Sequence, residues 1–154
     1  MPAGGNAKIM VAENFRVDLA GRRIVVTGAS SGIGAHFARI IAAAGGQALM
    51  CARSTDKLEA IAADIAAGGG RASIHAMEVR DTASVRTAIE AIVATGTIHG
   101  LVNNSGIARG NPLERESDAD WNDVIATNLT GARNVAVEVA RRMIAAGAGG
   151  TIVN

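Results

Sequence analysis

Short apolar runs that stop at glycine alternate along this chain with longer stretches in which apolar residues return every three or four positions. The first kind fits strands buried on both faces of a parallel sheet, and the second fits amphipathic helices. Arg23-Ile24-Val25-Val26-Thr27 predicts the first strand. After a glycine turn, Ile33, Phe37, Ile40, Ile41 and Ala44 predict a helix, which Gly45-Gly46 ends where a left-handed cap is wanted. The unit then recurs. Ala48 to Ala52 predicts a second strand, Ser54 caps a helix carrying Leu58, Ile61 and Ile65, Gly68-Gly69-Gly70 breaks it, and Ser73 to Met77 predicts a third strand. Asp81 caps a helix with Val85, Ile89 and Ile92, and a fourth strand follows at Gly100 to Asn103. A long helix is predicted from about Asp118 to Ala146, with Val124, Ile125, Leu129, Ala132, Val135, Val139 and Met143 along one side, before Thr151-Ile152-Val153 opens a fifth strand.

Strands alternating with helices at these lengths imply right-handed crossovers and an α/β fold, a Rossmann-like doubly wound parallel sheet of predicted strand order 3-2-1-4-5. The order reverses between strands 1 and 4, so the loops after those two strands flank the ligand crevice. Residues 18–154 are expected to form this one domain, incomplete for want of further C-terminal strands, and residues 1–17 a flexible leader.

Composition narrows the partners. The 154 residues carry 15 Lys and Arg against 14 Asp and Glu, with no basic stripe to follow a phosphate backbone, which argues against nucleic acid. The single cysteine, Cys51, cannot form an intrachain disulfide and reads as a small apolar strand residue. Met1 to Glu13 lacks the apolar run of a signal peptide, Met10 is an alternative start, and no later segment offers the ~20 unbroken apolar residues of a membrane span. A cytoplasmic protein with no membrane partner is the expectation.

The loop after strand 1 is Thr27-Gly28-Ala29-Ser30-Ser31-Gly32-Ile33-Gly34. Gly28 suits a tight turn, Gly32 lets backbone approach a phosphate, and Gly34 allows close helix packing. The helix N-terminus then presents free N–H groups and a partial positive charge to a pyrophosphate, with Ser30 and Ser31 adding hydroxyl donors. A purely structural turn is the alternative at this point.

The string TGASSGIG resembles the glycine motif of the short-chain dehydrogenase/reductase family. Three more segments resemble that family in the same order: NNSGI at Asn103 to Ile107, DWNDVIATNLTG at Asp120 to Gly131, and GGTIVN at the end of the chain. The resemblance runs from about Asp18 to Asn154 and implies an NAD(P)-dependent oxidoreductase acting on a small-molecule carbonyl or alcohol, with Gly28, Ser30, Ser31, Gly32, Ile33 and Gly34 holding the coenzyme. It implies that Glu78, one methylene longer than the family's usual Asp, and Val79 lie at the adenine. Asn104, Ser105 and Gly106 are implied to lie beside the ribose on the opposite lip, although asparagines at a strand end equally tie neighbouring backbone together.

The choice of coenzyme turns on the end of strand 2. An NAD site places an acidic side chain there for the ribose hydroxyls, whereas NADP requires a cation for its 2′-phosphate. The resemblance implies that Ala52 occupies the acidic position of NAD-preferring members and that Arg53 follows it, as in many NADP-preferring ones, so NADP(H) is expected to be preferred, with NAD(H) as the alternative.

Carbonyl reduction also requires a proton for the developing alkoxide. The resemblance implies Ser, Tyr and Lys for this work, with an Asn completing a water relay. The sequence contains no tyrosine, and of the four groups only the asparagine is present, as Asn128; the others would fall beyond Asn154. His36, His75 and His99 read as surface or core histidines without metal-ligand spacing, and Asp118, Asp120 and Asp123 as carboxylates complementing a helix dipole. Three readings stay open: the cofactor-binding half of an enzyme, a dinucleotide-binding module without catalysis, and an interaction domain with an unused crevice. Thr151 to Asn154 is expected to form a sheet edge that promotes association, and the long helix offers a homo-oligomer surface beside its packing on the sheet.

Overall fold

A computed structural model of the chain describes residues 17–110 and 112–154. All but one position of the expected leader lies outside the described residues, Val17 being the exception. Among the described residues, five parallel strands, β1 (Arg23–Thr27), β2 (Gln47–Ala52), β3 (Arg71–Ala76), β4 (Gly100–Val102) and β5 (Thr151–Val153), form one sheet in the order β3-β2-β1-β4-β5. This is the order the sequence predicts. Helices α1 (Gly32–Ala43), α2 (Thr55–Ala67), α3 (Thr82–Val93), α4 (Asp118–Ile125) and α5 (Ala132–Ala145) cover its two faces.

Alternation along the strands explains why both faces are apolar. Val25, Leu49, Cys51 and Leu101 point into a core shared with Val85, Ile89 and Ile92 of α3 and Val135, Val139 and Met143 of α5. Their strand neighbours Val26, Ala48, Met50 and Ala52 point the other way, against α1 and α2. Each large side chain withdrawn from water this way contributes roughly 1.5–3 kcal/mol, so the two layers pin the register of the central strands.

Four details depart from expectation. On α1, Ile41 is buried as expected, but Ile33, Phe37 and Ile40 are exposed, and Gly34, Ala35, Ala38 and Ala42 share the buried face with Ile41 in their place. Small residues on that face let the helix axis lie close to β1 and β2, and the bulky positions are turned outward. The third strand starts at Arg71 rather than Ser73 because its pairing with β2 begins at Gln47, and Met77 lies beyond it while still donating its N–H to Ala52. Ser54 stands at the start of α2 but its hydroxyl makes no capping bond, whereas the Asp81 carboxylate accepts from the Ala83 N–H at 2.9 Å, as expected of a cap.

The fourth difference shapes the site. The long helix is interrupted by a π-helical turn, Ala126–Gly131, between α4 and α5. One extra residue in a turn rotates the helix before it by about 100° relative to the helix after it. Leu129, expected on the inner stripe, is therefore exposed, and Thr127 and Gly131 are buried in its place. Among the described residues no helix is long and apolar enough to cross a membrane.

Candidate active-site crevice

The loops that leave β1, β2, β3 and β4 meet the start of α1 and the π turn around an open cleft of about 590 Å³. That lies within the usual range for small-molecule sites. Gly28, Ser30, Ser31, Gly32, Ile33, Arg53, Glu78, Val79, Asn104, Ser105 and Gly106, all singled out from sequence, line this one space. Gly34 lies beneath it, and Asn128 stands behind Gly106 and Ile107 rather than in the lining.

Two glycines of the turn do different work. At Gly32, φ is +52° and an added Cβ would meet nothing within 4 Å, so the backbone here is bare on the crevice side. At Gly34 an added Cβ would stand 2.3 Å from the Gly28 carbonyl oxygen, so helix and turn are in backbone contact. Ser31 precedes α1 without capping it, which leaves the first-turn N–H groups free of a side-chain acceptor at the mouth of the cleft. A bound anion at such a terminus is stabilised by about 0.3–1 kcal/mol, more when partly buried.

Beneath the turn, Thr27 ties the ends of β1 and β4 together. Its buried Oγ1 accepts the N–H of Asn104 at 2.9 Å and of Ser105 at 3.0 Å, and donates to the Asn103 Oδ1 at 3.4 Å. The Asn104 amide donates to the carbonyl of Thr27 at 3.2 Å, and the Asn103 amide to the carbonyl of Ala132 at 2.8 Å. Both asparagine side chains thus carry the backbone-tying role that the sequence left open beside ligand contact.

Asn128 sits in the π turn. Its Oδ1 accepts the Ile107 N–H at 2.8 Å and its Nδ2 donates to the Ile107 carbonyl at 2.9 Å, clamping the loop after β4. Val79 is buried, and its side chain packs where Gly131 lacks one: a Cβ there would come within 2.7 Å of the Val79 Cγ2. The short residue in the π turn therefore admits the loop after β3.

Charge is distributed unevenly around the cleft. Arg53, Lys57, Arg80 and Arg109 line it against the carboxylates Glu78 and Asp123. Arg80 and Arg109, from the loops after β3 and β4, both donate to Asp123 of α4. The hydrogen bond from Arg109, with that from Arg80, holds the Asp123 carboxyl below the ordinary carboxylate range. Asp118 and Asp120 do lie in the first turn of α4, as the dipole argument expects, but Asp123 instead bridges two loops. Arg53 approaches Glu78 at 3.6 Å across the opposite rim.

Sequence reasoning missed Thr27, Lys57, Arg80, Arg109 and Thr127. Thr27 had a legible signal, a hydroxyl immediately before the glycine turn. Arg80 and Arg109 had none, because only the fold brings three separate segments to Asp123. The histidines stay outside the crevice lining: His36 is exposed on α1, His75 bonds Ser73 on β3 at 2.9 Å, and the His99 Nδ1 accepts the Arg23 N–H at 3.0 Å.

The family model for short chain dehydrogenases matches residues 22–154. D-threitol dehydrogenase of Mycolicibacterium smegmatis is 39% identical over 148 residues, which span 96% of this chain and 56% of that protein. A short-chain type dehydrogenase/reductase from Mycobacterium marinum superimposes with a TM-score of 0.85 at 35% identity, covering 89% of this chain and 56% of that one. A gluconate 5-dehydrogenase from Burkholderia cenocepacia J2315, solved in complex with NADP and tartrate, gives 0.82 at 39% identity, covering 88% and 54%. The chain spans about half the length of the curated relatives it matches. With the match running from the first strand through the last and the same architecture in the solved relatives, the chain belongs to the short-chain dehydrogenase family.

Proposed function

We propose that the crevice binds NADP(H) and that this chain is the coenzyme-binding part of an oxidoreductase interconverting a small-molecule alcohol and carbonyl. The observation that carries the reading is the uncapped N-terminus of α1 with bare backbone at Gly32, set on the same cleft as Arg53. The first supplies donors for a pyrophosphate, and the second a guanidinium for a 2′-phosphate. A relative of 39% identity was solved with NADP, which supports the same choice here over NAD(H).

In this reading Gly28, Ser30, Ser31, Gly32 and Ile33 cradle the phosphates, and Gly34 lets α1 sit close enough to do so. Arg53 and Lys57 hold the 2′-phosphate, Glu78 and Val79 border the adenine, and Asn104, Ser105 and Gly106 border the ribose. Bound NADPH would supply the hydride. Asn128 orients the loop at Ile107 toward the substrate end, and its expected part in a water relay adds to that clamp. The setting is cytoplasmic, and self-association through α4 and α5 belongs to the same reading.

A dinucleotide-binding module without turnover is the second reading. Fluorescence titration with NADPH and NADH tests the binding claim. Tighter NADPH binding that is lost in Arg53→Ala is expected; equal affinity for both coenzymes would overturn the NADP(H) assignment. A coding sequence that continues past Asn154 with a Ser, and then a Tyr and a Lys four residues apart, separates the two readings, since only the enzyme needs those groups.

A further inference from the structure

We propose that Glu78 sets coenzyme selectivity in the crevice by competing with the 2′-phosphate for the Arg53 guanidinium. This rests on the reading of the cleft as an NADP(H) site. The two partners of the 3.6 Å pair are unequally held. Glu78 is anchored twice: its backbone N–H donates to the Ser84 Oγ at 2.9 Å, and its Oε1 accepts the Arg80 N–H at 3.1 Å. Its second oxygen, Oε2, is the one turned to Arg53. The Arg53 side chain is 73% exposed and projects from the rim. The carboxylate is thus the fixed element, and the guanidinium is the one drawn to it.

No other arginine of the crevice is available to replace Arg53. Arg80 and Arg109 are both spent on Asp123, so Arg53 and Lys57 are the cations left for an anionic ligand among the described lining residues. Pairing with Glu78 offsets half of that charge. A 2′-phosphate arriving at Arg53 must share the fork with a carboxylate or displace it, and the two anions repel each other at close range. The ribose hydroxyls of NAD(H) carry no charge and meet no such competition. Glu78 therefore lowers affinity for NADPH while leaving NADH nearly untouched, and narrows the preference that Arg53 alone would create.

The length of the side chain is what makes the contact. One C–C bond is about 1.5 Å, so an aspartate on the same backbone would fall well short of the guanidinium. Glu78→Asp keeps the charge yet loosens the pair, and Glu78→Gln keeps the length yet removes the charge. Both variants change a partly exposed side chain, which leaves the core intact.

Isothermal calorimetry and coenzyme fluorescence on the full chain, at low ionic strength, test this with NADPH and NADH as probes. Glu78→Gln is expected to raise the ratio of NADPH to NADH affinity about fivefold, any change at the shared adenine cancelling between the two coenzymes, with the gain shrinking in high salt. Glu78→Asp moves in the same direction by less. In an Arg53→Ala background, Glu78→Gln is expected to leave that ratio unchanged. An unchanged NADPH to NADH ratio in Glu78→Gln, while Arg53→Ala still costs NADPH affinity, would sink the competition and leave the NADP(H) site standing. A gain of equal size without Arg53 also overturns it, because Glu78 would then act on the phosphate directly. Indifference of NADPH binding to Arg53→Ala, or no binding of either coenzyme, overturns both readings.

Discussion

The side-chain amide nitrogen of Asn104 lies 2.6 Å from the point a Cβ on Gly34 would occupy, so the first helix and the loop after β4 touch through a residue with no side chain. Gly34→Ala must displace backbone at Gly28 as well as Asn104, and a loss of more than about 4 kcal/mol is expected, at the severe end for single changes. Gly32→Ala meets no atom but keeps a left-handed backbone, at a cost of about 1–2 kcal/mol. Thermal melts with parallel NADPH titration check the contrast. Gly34→Ala is expected to lose the fold, and Gly32→Ala to keep the fold but lose coenzyme affinity, because its methyl would take the place proposed for the phosphate.

Thr27→Val tests the tie beneath the turn. The change keeps the shape of the buried side chain but leaves the N–H groups of Asn104 and Ser105 without their acceptor. Unmet donors of this kind cost about 1–3 kcal/mol. A drop of several degrees in Tm is expected, with Thr27→Ser recovering most of it. A valine variant as stable as the parent would refute the role of the hydroxyl.

The Asp123 bridge gives a pH signature. Its carboxyl lies below the unfolded value because Arg109 and Arg80 bond the charged form. A carboxyl depressed in the folded state contributes stability above its unfolded pKa of about 3.9 and loses it as pH falls through the lower folded value. The Tm difference between the parent and Asp123→Asn should therefore be constant from pH 8 to about pH 5 and narrow only in stronger acid. A difference that vanishes near neutrality would contradict the assignment.

Cys51 offers a chemical probe of the sheet. Burial between β1 and β3 pushes its thiol up to about 12. At pH 8 the thiol should resist iodoacetamide in the folded protein and react readily in denaturant. Alkylation at equal rates in both conditions would show that the centre of the sheet opens in solution.

Much of the fold and of the crevice was legible in the chain because the information was local. Val25 and Val26 announce a strand buried on both faces, and the glycines from Gly28 to Gly34 mark both the turn and the crevice it opens on. What escaped was relational. Ile33, Phe37 and Ile40 have helical spacing, yet spacing alone does not say which side faces the sheet, and Ala35, Ala38 and Ala42 take the inner face because a close helix–sheet approach favours small residues. Leu129 left the predicted stripe because of a π turn that hydrophobic periodicity does not encode. Arg80, Arg109 and Asp123 meet only once three segments have been brought together, so no spacing along the chain foretold them.

The π turn also makes the helix fragile in a specific way. Removing any one residue between Ala126 and Gly131 would let the backbone return to regular i to i−4 bonding and improve the helix locally. It would also swing the Asp123 end through about a quarter of a revolution against α5, tearing the carboxylate from both arginines. A shorter chain at this point gains regularity and forfeits its crevice.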